Sequence, residues 1–192
     1  MKTNKKKPTA AGKSSFDLID VDRFFQEINL QEGISFLDLA CGRGAYCLAA
    51  SAIVGAKGRV YGVDLWSEGI ERLKAASQEK TAGNIKAFVS DAGKKIPVAD
   101  RSIDVCLMAS VLHDFVEDKI DQEVLPEIVR VVKSGGILAI MEFLKIDGPP
   151  GPPRHIRLSA EQVDDLISPF GFRREHVVDV GPYNYLMLFK NT

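Results

Sequence analysis

Three aspartates, each at or just beyond the end of a short apolar run, are the side chains best placed for binding chemistry. Asp38, Asp64 and Asp91 end or follow runs whose apolar residues predict buried strands. Open α/β sheets bind ligands outside the carboxyl ends of their strands, so one acid per strand end indicates a common binding edge. Asp64 comes 20 residues after Gly44, where a carboxylate can accept hydrogen bonds from both ribose hydroxyls of a nucleoside.

A glycine-containing turn separates the first strand from the following helix. Gly42 and Gly44 lack a Cβ, so the backbone can pass close to a ligand, and the new helix presents unpaired N–H groups there. The dinucleotide fingerprint Gly-x-Gly-x-x-Gly/Ala is incomplete, because Cys47 occupies its third small position. The pattern Asp-x-Gly-x-Gly-x-Gly matches better, since it needs only Ala40 in place of its first glycine after Asp38.

Hydrophobic periodicity predicts the elements that position these residues. Short apolar runs predict seven strands, at residues 34–38, 59–63, 85–89, 103–108, 137–143, 174–180 and 185–190. Helical spacing predicts helices over residues 17–30, 45–54, 116–132 and 159–167, and one that contains Ile70, Leu73 and Ala76. The alternation of strands and helices predicts an α/β fold with a doubly wound, mostly parallel sheet.

Three local signals refine these elements. Pro126 predicts a kink in the helix at residues 116–132 or the start of its regular part. A turn at residues 133–136, Lys-Ser-Gly-Gly, ends that helix, and Ser159 is the predicted N-cap of the last one. The proline-rich residues 147–155 predict a stiff surface loop at the ligand-binding edge.

Length and composition predict one α/β domain. The net charge is −1, so no global field attracts nucleic acid or a membrane surface. We divide the chain into a flexible basic tail, residues 1–15, and a domain, residues 16–192. In an alternative interpretation the tail contacts an anionic partner or folds over the active site. The chain shows no apolar run of roughly 18 residues and no signal-peptide segment, which predicts a cytoplasmic protein. Cys41, Cys47 and Cys106 are interpreted as small buried hydrophobic residues, with a metal or redox role as the alternative.

Histidine is the residue most suited to proton transfer, and the chain has three. His113, just past the fourth strand, is the candidate general base; the alternative is a helix-start histidine bonded to nearby backbone. His155 lies in the proline-rich loop, within reach of a substrate, and His176 is interpreted as structural, with no predicted partner. A metal site at His113, Asp114 and Glu117 lacks a fourth ligand, so no metal is predicted.

The stretch from Phe36 to Phe143 resembles small class I S-adenosylmethionine (SAM) dependent methyltransferases of the ubiquinone/menaquinone-biosynthesis-like group. Residues 37–44 resemble the first motif of that family, and residues 96–105 resemble its approach to the fourth strand. Residues 170–172, Phe-Gly-Phe, resemble its turn into the last two strands. The resemblance implies a Rossmann-like, seven-stranded sheet in the order 3-2-1-4-5-7-6, with the last strand antiparallel.

The resemblance also implies which residues bind the cofactor. Asp38 orders the turn, and Asp64 holds the ribose of SAM with Leu65 beside it. The other expected contacts are Ala40, Gly42 and Gly44 to the methionine part, Asp91 and Ala92 to adenine, and Ala109 near the sulfur.

The function implied is methyl transfer from SAM to a small-molecule acceptor, with S-adenosylhomocysteine as product. A small molecule is favoured because the short C-terminal region does not suggest a nucleic-acid-reading domain. The three arsenite-binding cysteines of an arsenic methyltransferase are not evident in the variable loops. Two alternatives stay open: a non-catalytic SAM-binding regulatory module, and an NAD-dependent oxidoreductase, which would share the turn and Asp64.

Overall fold

A computed structural model describes residues 12–80 and 82–192, so the prediction for the first part of the basic tail lies outside the described residues. Seven strands among these residues form one sheet: Ser35–Leu39 (β1), Arg59–Asp64 (β2), Ile85–Val89 (β3), Ile103–Ala109 (β4), Val132–Phe143 (β5), Phe172–Asp179 (β6) and Asn184–Asn191 (β7). The α-helices are Val21–Ile28 (α1), Ala45–Val54 (α2), Ser67–Glu79 (α3), Leu112–Glu117 (α4), Asp121–Val131 (α5) and Ala160–Ile167 (α6). None of these described helices is both long enough and apolar enough to cross a membrane.

The strand order is β3-β2-β1-β4-β5-β7-β6, and β7 pairs antiparallel with both of its neighbours. The predicted fold class, strand order and antiparallel last strand are therefore confirmed. Strand β1 lies between β2 and β4, so that Asp38 is in register with Gly62 on one side and Leu107 on the other. The direction of winding reverses between β1 and β4, which opens a crevice at their carboxyl ends.

Helices cover both faces of the sheet, which explains why its strands are nearly continuously apolar. Helices α1, α2 and α3 share one buried cluster, and α4, α5 and α6 share the other. Neighbouring residues of one strand point to opposite faces, as Phe36 and Leu37 do in β1. Both residues are fully buried, so the central strands hold the site edge on a rigid core.

The single helix predicted over residues 116–132 is wrong, because α4 and α5 replace it. Lys119 has a φ of +58°, and its N–H and that of Ile120 donate to carbonyls of α4 at 3.1 and 2.9 Å. These two bonds form a Schellman motif, which ends a helix. Pro126 lies inside α5 rather than at its start.

The predicted turn at residues 133–136 is also wrong, since these residues belong to β5. The pairing with β4 shifts from Ile103 opposite Val132 to Val105 opposite Ile137. The intervening residues of β5 therefore form a bulge, after which the apolar residues of β5 pair with β4 in a new register.

Two side-chain contacts bear on the predictions for Ser159 and His176. Ser159 is confirmed as the N-cap of α6: its hydroxyl accepts from the N–H of Gln162 at 3.3 Å, and the Gln162 side chain accepts from the Ser159 N–H at 3.0 Å. His176 has a partner that the sequence did not predict, because its Nε2 lies 3.0 Å from Oε2 of Glu27 in α1.

Candidate active site

Left-handed backbone shapes the turn after β1. Ala40, Gly42 and Gly44 have φ values of +60°, +56° and +77°. This conformation costs an L-residue about 1–2 kcal/mol and glycine very little. Ala40 therefore occupies a position where glycine would be less strained, which is consistent with its alignment to the first glycine of the pattern.

Gly42 and Gly44 are needed for different physical reasons. A Cβ at Gly44 would lie 2.3 Å from Cδ1 of Leu73, so this glycine lets α3 pack against the turn. A Cβ at Gly42 would have no atom within 4 Å, and Gly42 borders open space at the crevice. The sequence pattern predicts the same role for both glycines, which is close approach of the backbone to a ligand. The packing role of Gly44 has no signal in the sequence.

Asp64 joins the end of β2 to the turn. Its Oδ2 accepts from the N–H of Gly42 at 2.7 Å, and its Oδ1 accepts from the N–H of Trp66 at 2.7 Å. A carboxylate has about four acceptor positions, so two backbone donors leave capacity for hydroxyl groups. The residue predicted to hold a ribose thus also fixes the turn beside it.

A cavity of about 600 Å³ opens at the carboxyl ends of β1 to β4, and we call it the acidic cavity. Its acidic lining residues are Asp64, Asp91, Asp114, Glu117 and Asp118. The other predicted site residues that line it are Ala40, Gly42, Leu65, Ala92 and Ala109. Asp91 also accepts from the N–H of Gly93 at 3.2 Å, so it closes a local turn as well as facing the cavity.

A second cavity of about 840 Å³ lies beside the first, and we call it the aromatic cavity. Phe16, Tyr46, Phe143 and His113 line it, together with residues 150–153 of the proline-rich loop. Residues 12–18 form part of its wall, although the sequence assigned residues 12–15 to the tail. One of them, Ser15, is buried with its Oγ 3.1 Å from Oη of Tyr46.

The two cavities share a broad wall that includes the turn after β1 and the end of β4. Ala40, Gly42, Ala109 and Ser110 are among the residues that line both of them. Ser110 has a φ of +55°, and its buried Oγ has no hydrogen-bond partner among the described residues. A buried hydroxyl without a partner costs about 1–3 kcal/mol, which a bound polar group would recover.

His113 is paired with a buried glutamate. Its Nδ1 lies 2.7 Å from Oε2 of Glu142, which is fully buried in β5. Burial lowers the pKa of His113, and the hydrogen bond and charge of Glu142, with the charge of Asp114, raise it by more, so that it lies above its ordinary value. Because a carboxylate only accepts, Nδ1 carries the proton and Nε2 is the basic atom of the neutral ring.

A buried arginine fixes the proline-rich loop. The guanidinium of Arg157 donates to the carbonyls of Leu144, Gly148, Pro150 and Pro152 at 2.6 to 3.0 Å, and Arg157 is 1% exposed. This one side chain therefore fixes the conformation of the loop, which forms part of the wall of the aromatic cavity. The second histidine candidate, His155, is exposed on the same loop and lines neither cavity.

Two of the three cysteines lie together beneath the turn. The Sγ atoms of Cys41 and Cys47 and a carboxylate oxygen of Asp38 all lie within 4.8 Å of one another, and all three residues are buried. Cys47 Sγ donates to Asp38 Oδ2 at 3.2 Å. Burial raises the pKa of Asp38 to about 7, the Cys47 hydrogen bond opposes this, and the charge of Asp64 adds to it. From the sequence, buried hydrophobic packing was the favoured interpretation of these cysteines, and a metal or redox role was the alternative.

The strand order and the crevice over the β1 turn define a Rossmann-like fold of the class I SAM-dependent methyltransferase type. Residues 30–167 match the Methyltransferase domain family, and the chain belongs to that family. A crystal structure of a SAM dependent methyltransferase from Aquifex aeolicus superposes with a TM-score of 0.84 at 29% identity, covering 93% of each chain. The predicted family resemblance is confirmed, and SAM is the cofactor of this class.

Curated relatives carry two different names. The chain is 30% identical over 122 residues to demethylmenaquinone methyltransferase of Staphylococcus aureus (strain MRSA252), which covers 62% of this chain and 47% of that protein. It is 32% identical over 113 residues to arsenite methyltransferase of Halobacterium salinarum, covering 59% of this chain and 28% of that protein. The aligned parts thus amount to about half or less of these relatives.

Proposed function

We propose that the chain binds SAM in the acidic cavity and transfers its methyl group to a small-molecule acceptor in the aromatic cavity. The observation that carries this proposal is the shared wall of the two cavities at Ala109 and Ser110. Bound SAM supplies a methyl group activated by its sulfonium. Two adjacent cavities with a common wall let the chain hold donor and acceptor side by side and in line, which is the main demand of such a transfer.

The residues around the acidic cavity fit this cofactor. Asp64 has free acceptor capacity for two ribose hydroxyls, and Asp91 with Ala92 faces the same space from β3 for an adenine ring. Gly42 leaves room for the methionine part, and the unpartnered Ser110 hydroxyl can bond a polar group at the junction. Asp38 and Gly44 support the turn from below, by burial and by packing.

His113 is the proposed general base for an acceptor that must lose a proton. The ring lines the aromatic cavity, and Glu142 fixes its tautomer so that Nε2 is the atom that takes the proton. The glutamate then faces the imidazolium that forms and stabilises its charge. An acceptor with a hydroxyl or amine group fits this arrangement.

Binding of S-adenosylhomocysteine tests the cofactor part of the proposal. We expect calorimetry to show 1:1 binding that Asp64→Asn weakens at least tenfold, because a hydrogen bond to a charged acceptor is worth about 1.5–3 kcal/mol. Asp179→Asn is the matched control, since Asp179 is an exposed acid at the end of β6 outside both cavities. NADH binding in place of S-adenosylhomocysteine would contradict the proposal and favour the oxidoreductase alternative.

Release of S-adenosylhomocysteine from SAM tests the transfer itself. We would measure it with a panel of phenols, alcohols and amines, and expect turnover with at least one apolar member that fits the aromatic cavity. Tight SAM binding without turnover on any member would support the non-catalytic module instead.

A further inference from the structure

The cluster formed by Asp38, Cys41 and Cys47 has a ligand set that methyl transfer does not need. One residue comes from β1, one from the turn and one from the first turn of α2. Their carboxylate oxygen and two sulfur atoms converge within 4.8 Å. All three residues are buried, so their potential ligand atoms face one another inside the protein and not in solvent.

The spacing is close to that of a metal centre. Tetrahedral zinc with Zn–S bonds of about 2.3 Å holds its sulfur ligands about 3.8 Å apart. The distance between Cys47 Sγ and Asp38 Oδ2 is 3.2 Å and every pair lies inside 4.8 Å, so this geometry is reached by moving the side chains together with the turn that carries Cys41. Two sulfurs and one oxygen favour a thiophilic divalent cation over Mg²⁺ or Ca²⁺, which take oxygen ligands.

A glycine packs against the cluster, and a cavity gives access to it. Gly62 in β2 faces the cluster, and a Cβ there would lie 3.0 Å from Cys47 Sγ and 3.1 Å from Cys41 Sγ. Asp38 and Cys41 line the aromatic cavity, which provides an entry path and a position for water as a fourth ligand. Three protein ligands with one open position are a common zinc arrangement.

We propose that Asp38, Cys41 and Cys47 form a site for a thiophilic divalent cation of the Zn²⁺ and Cd²⁺ class, and that its occupation opposes cofactor binding. Binding replaces both S–H bonds with metal–sulfur bonds and releases the two protons to solvent. Asp38 makes the third bond through its carboxylate, and a proton that it carries is released to solvent as well. The opposition rests on the proposed function: Cys41 lies between Ala40 and Gly42, so pulling its sulfur towards a cation displaces the turn that supports SAM.

Titration of the full chain with CdCl₂ tests the site directly, because cadmium thiolates absorb in the ultraviolet. We expect one equivalent to saturate the absorption, and Cys41→Ala and Cys47→Ala each to weaken binding at least tenfold. Cys106→Ala is the matched control, since Cys106 is the third buried free cysteine and lies outside the cluster. Thermal unfolding checks that each variant is folded, and Cys41→Ser or Cys47→Ser replaces an unfolded alanine variant at the same position. Absence of a thiolate band, or a band that persists in a folded cluster variant, would overturn the site.

Calorimetry with S-adenosylhomocysteine, with and without one equivalent of Cd²⁺, tests the opposition. We expect the affinity to fall at least tenfold with Cd²⁺ in the unmodified chain and in Cys106→Ala. Unchanged affinity at full cadmium occupancy would overturn this part. If S-adenosylhomocysteine does not bind in the absence of Cd²⁺, the result counts against the proposed function alone. The absorption titration decides the metal site independently.

Discussion

Glu142 holds His113 at two points. Its Oε2 lies 2.7 Å from Nδ1 of the ring, and its Oε1 accepts from the backbone N–H of His113 at 3.2 Å. A ring held in this way has one tautomer and one orientation. The contact joins β5 to the start of α4, so two separate elements fix the proposed base.

Replacing Glu142 with Gln should lower the pKa of His113. The negative charge that raises the pKa would be gone, while burial, which lowers it, would remain. An NMR pH titration of the ring, assigned with His113→Gln, measures the change. His176 is an internal control, because its partner Glu27 is unaltered. A His113 pKa equal to that of the unmodified protein would show that Glu142 does not set its basicity.

Arg157→Met should destabilise the protein by at least 3 kcal/mol. Four carbonyls would lose their donor, and each unsatisfied buried group costs about 1–3 kcal/mol before water relieves part of it. Denaturant unfolding gives the loss, and faster proteolysis within residues 147–155 would locate it. Arg154→Met is the control on the same loop: Arg154 is exposed, so a change within about 0.5 kcal/mol is expected. Equal losses for both variants would refute the proposed anchoring.

The two turn glycines should respond differently to alanine. Gly44→Ala adds a clash with Leu73 to backbone strain and should cost about 3 kcal/mol of stability. Gly42→Ala meets open space and should cost about 1–2 kcal/mol, yet weaken S-adenosylhomocysteine binding at least tenfold because its methyl group occupies the crevice. Unfolding and calorimetry on both variants separate the two effects. Normal affinity in Gly42→Ala would contradict its placement beside the cofactor.

Asp38→Asn should stabilise the protein at pH 8 but not at pH 5. Because the pKa of Asp38 is raised to about 7 in the folded state, the fold favours the protonated acid. Its stabilising contribution is complete below the ordinary carboxyl pKa and is lost as pH rises through 7, by about 4 kcal/mol in all. Unfolding in EDTA-containing buffers at both pH values measures this. An equal stability difference at the two pH values would exclude Asp38 as the titrating group.

The edge of the sheet at which the two cavities lie was predictable, because an aspartate recurs at the end of each of three strands. Asp38, Asp64 and Asp91 each lie at or just past an apolar run, and parallel strands bring such ends together. The whole sheet order followed from family resemblance, since periodicity carries no information on which strands are neighbours.

The partner of His113 was missed, although a signal existed. Glu142 is the one charged residue in the apolar run 137–143, and a charge in a buried strand needs a partner. The donor to that carboxylate depends on tertiary contact between β5 and α4, which spacing along the chain does not reveal.

Two other features could not be predicted from the local sequence. The Schellman motif at Lys119 lacks the glycine that usually marks one. The carbonyl partners of Arg157 are backbone groups, identical at every position of the loop, so no side-chain pattern points to them.

The anchoring of the proline-rich loop by Arg157 has a practical consequence for changing which acceptor the protein prefers. Because the hydrogen bonds of Arg157 within this loop go to backbone carbonyls, the side chains of residues 150, 152 and 153 are not part of them. New side chains at these three positions can reshape the aromatic cavity while the hydrogen bonds are kept, whereas Gly151 must stay glycine because a Cβ there would lie 2.7 Å from the ring of Phe143. Selection for altered substrate preference would then begin with these positions and leave the arginine invariant.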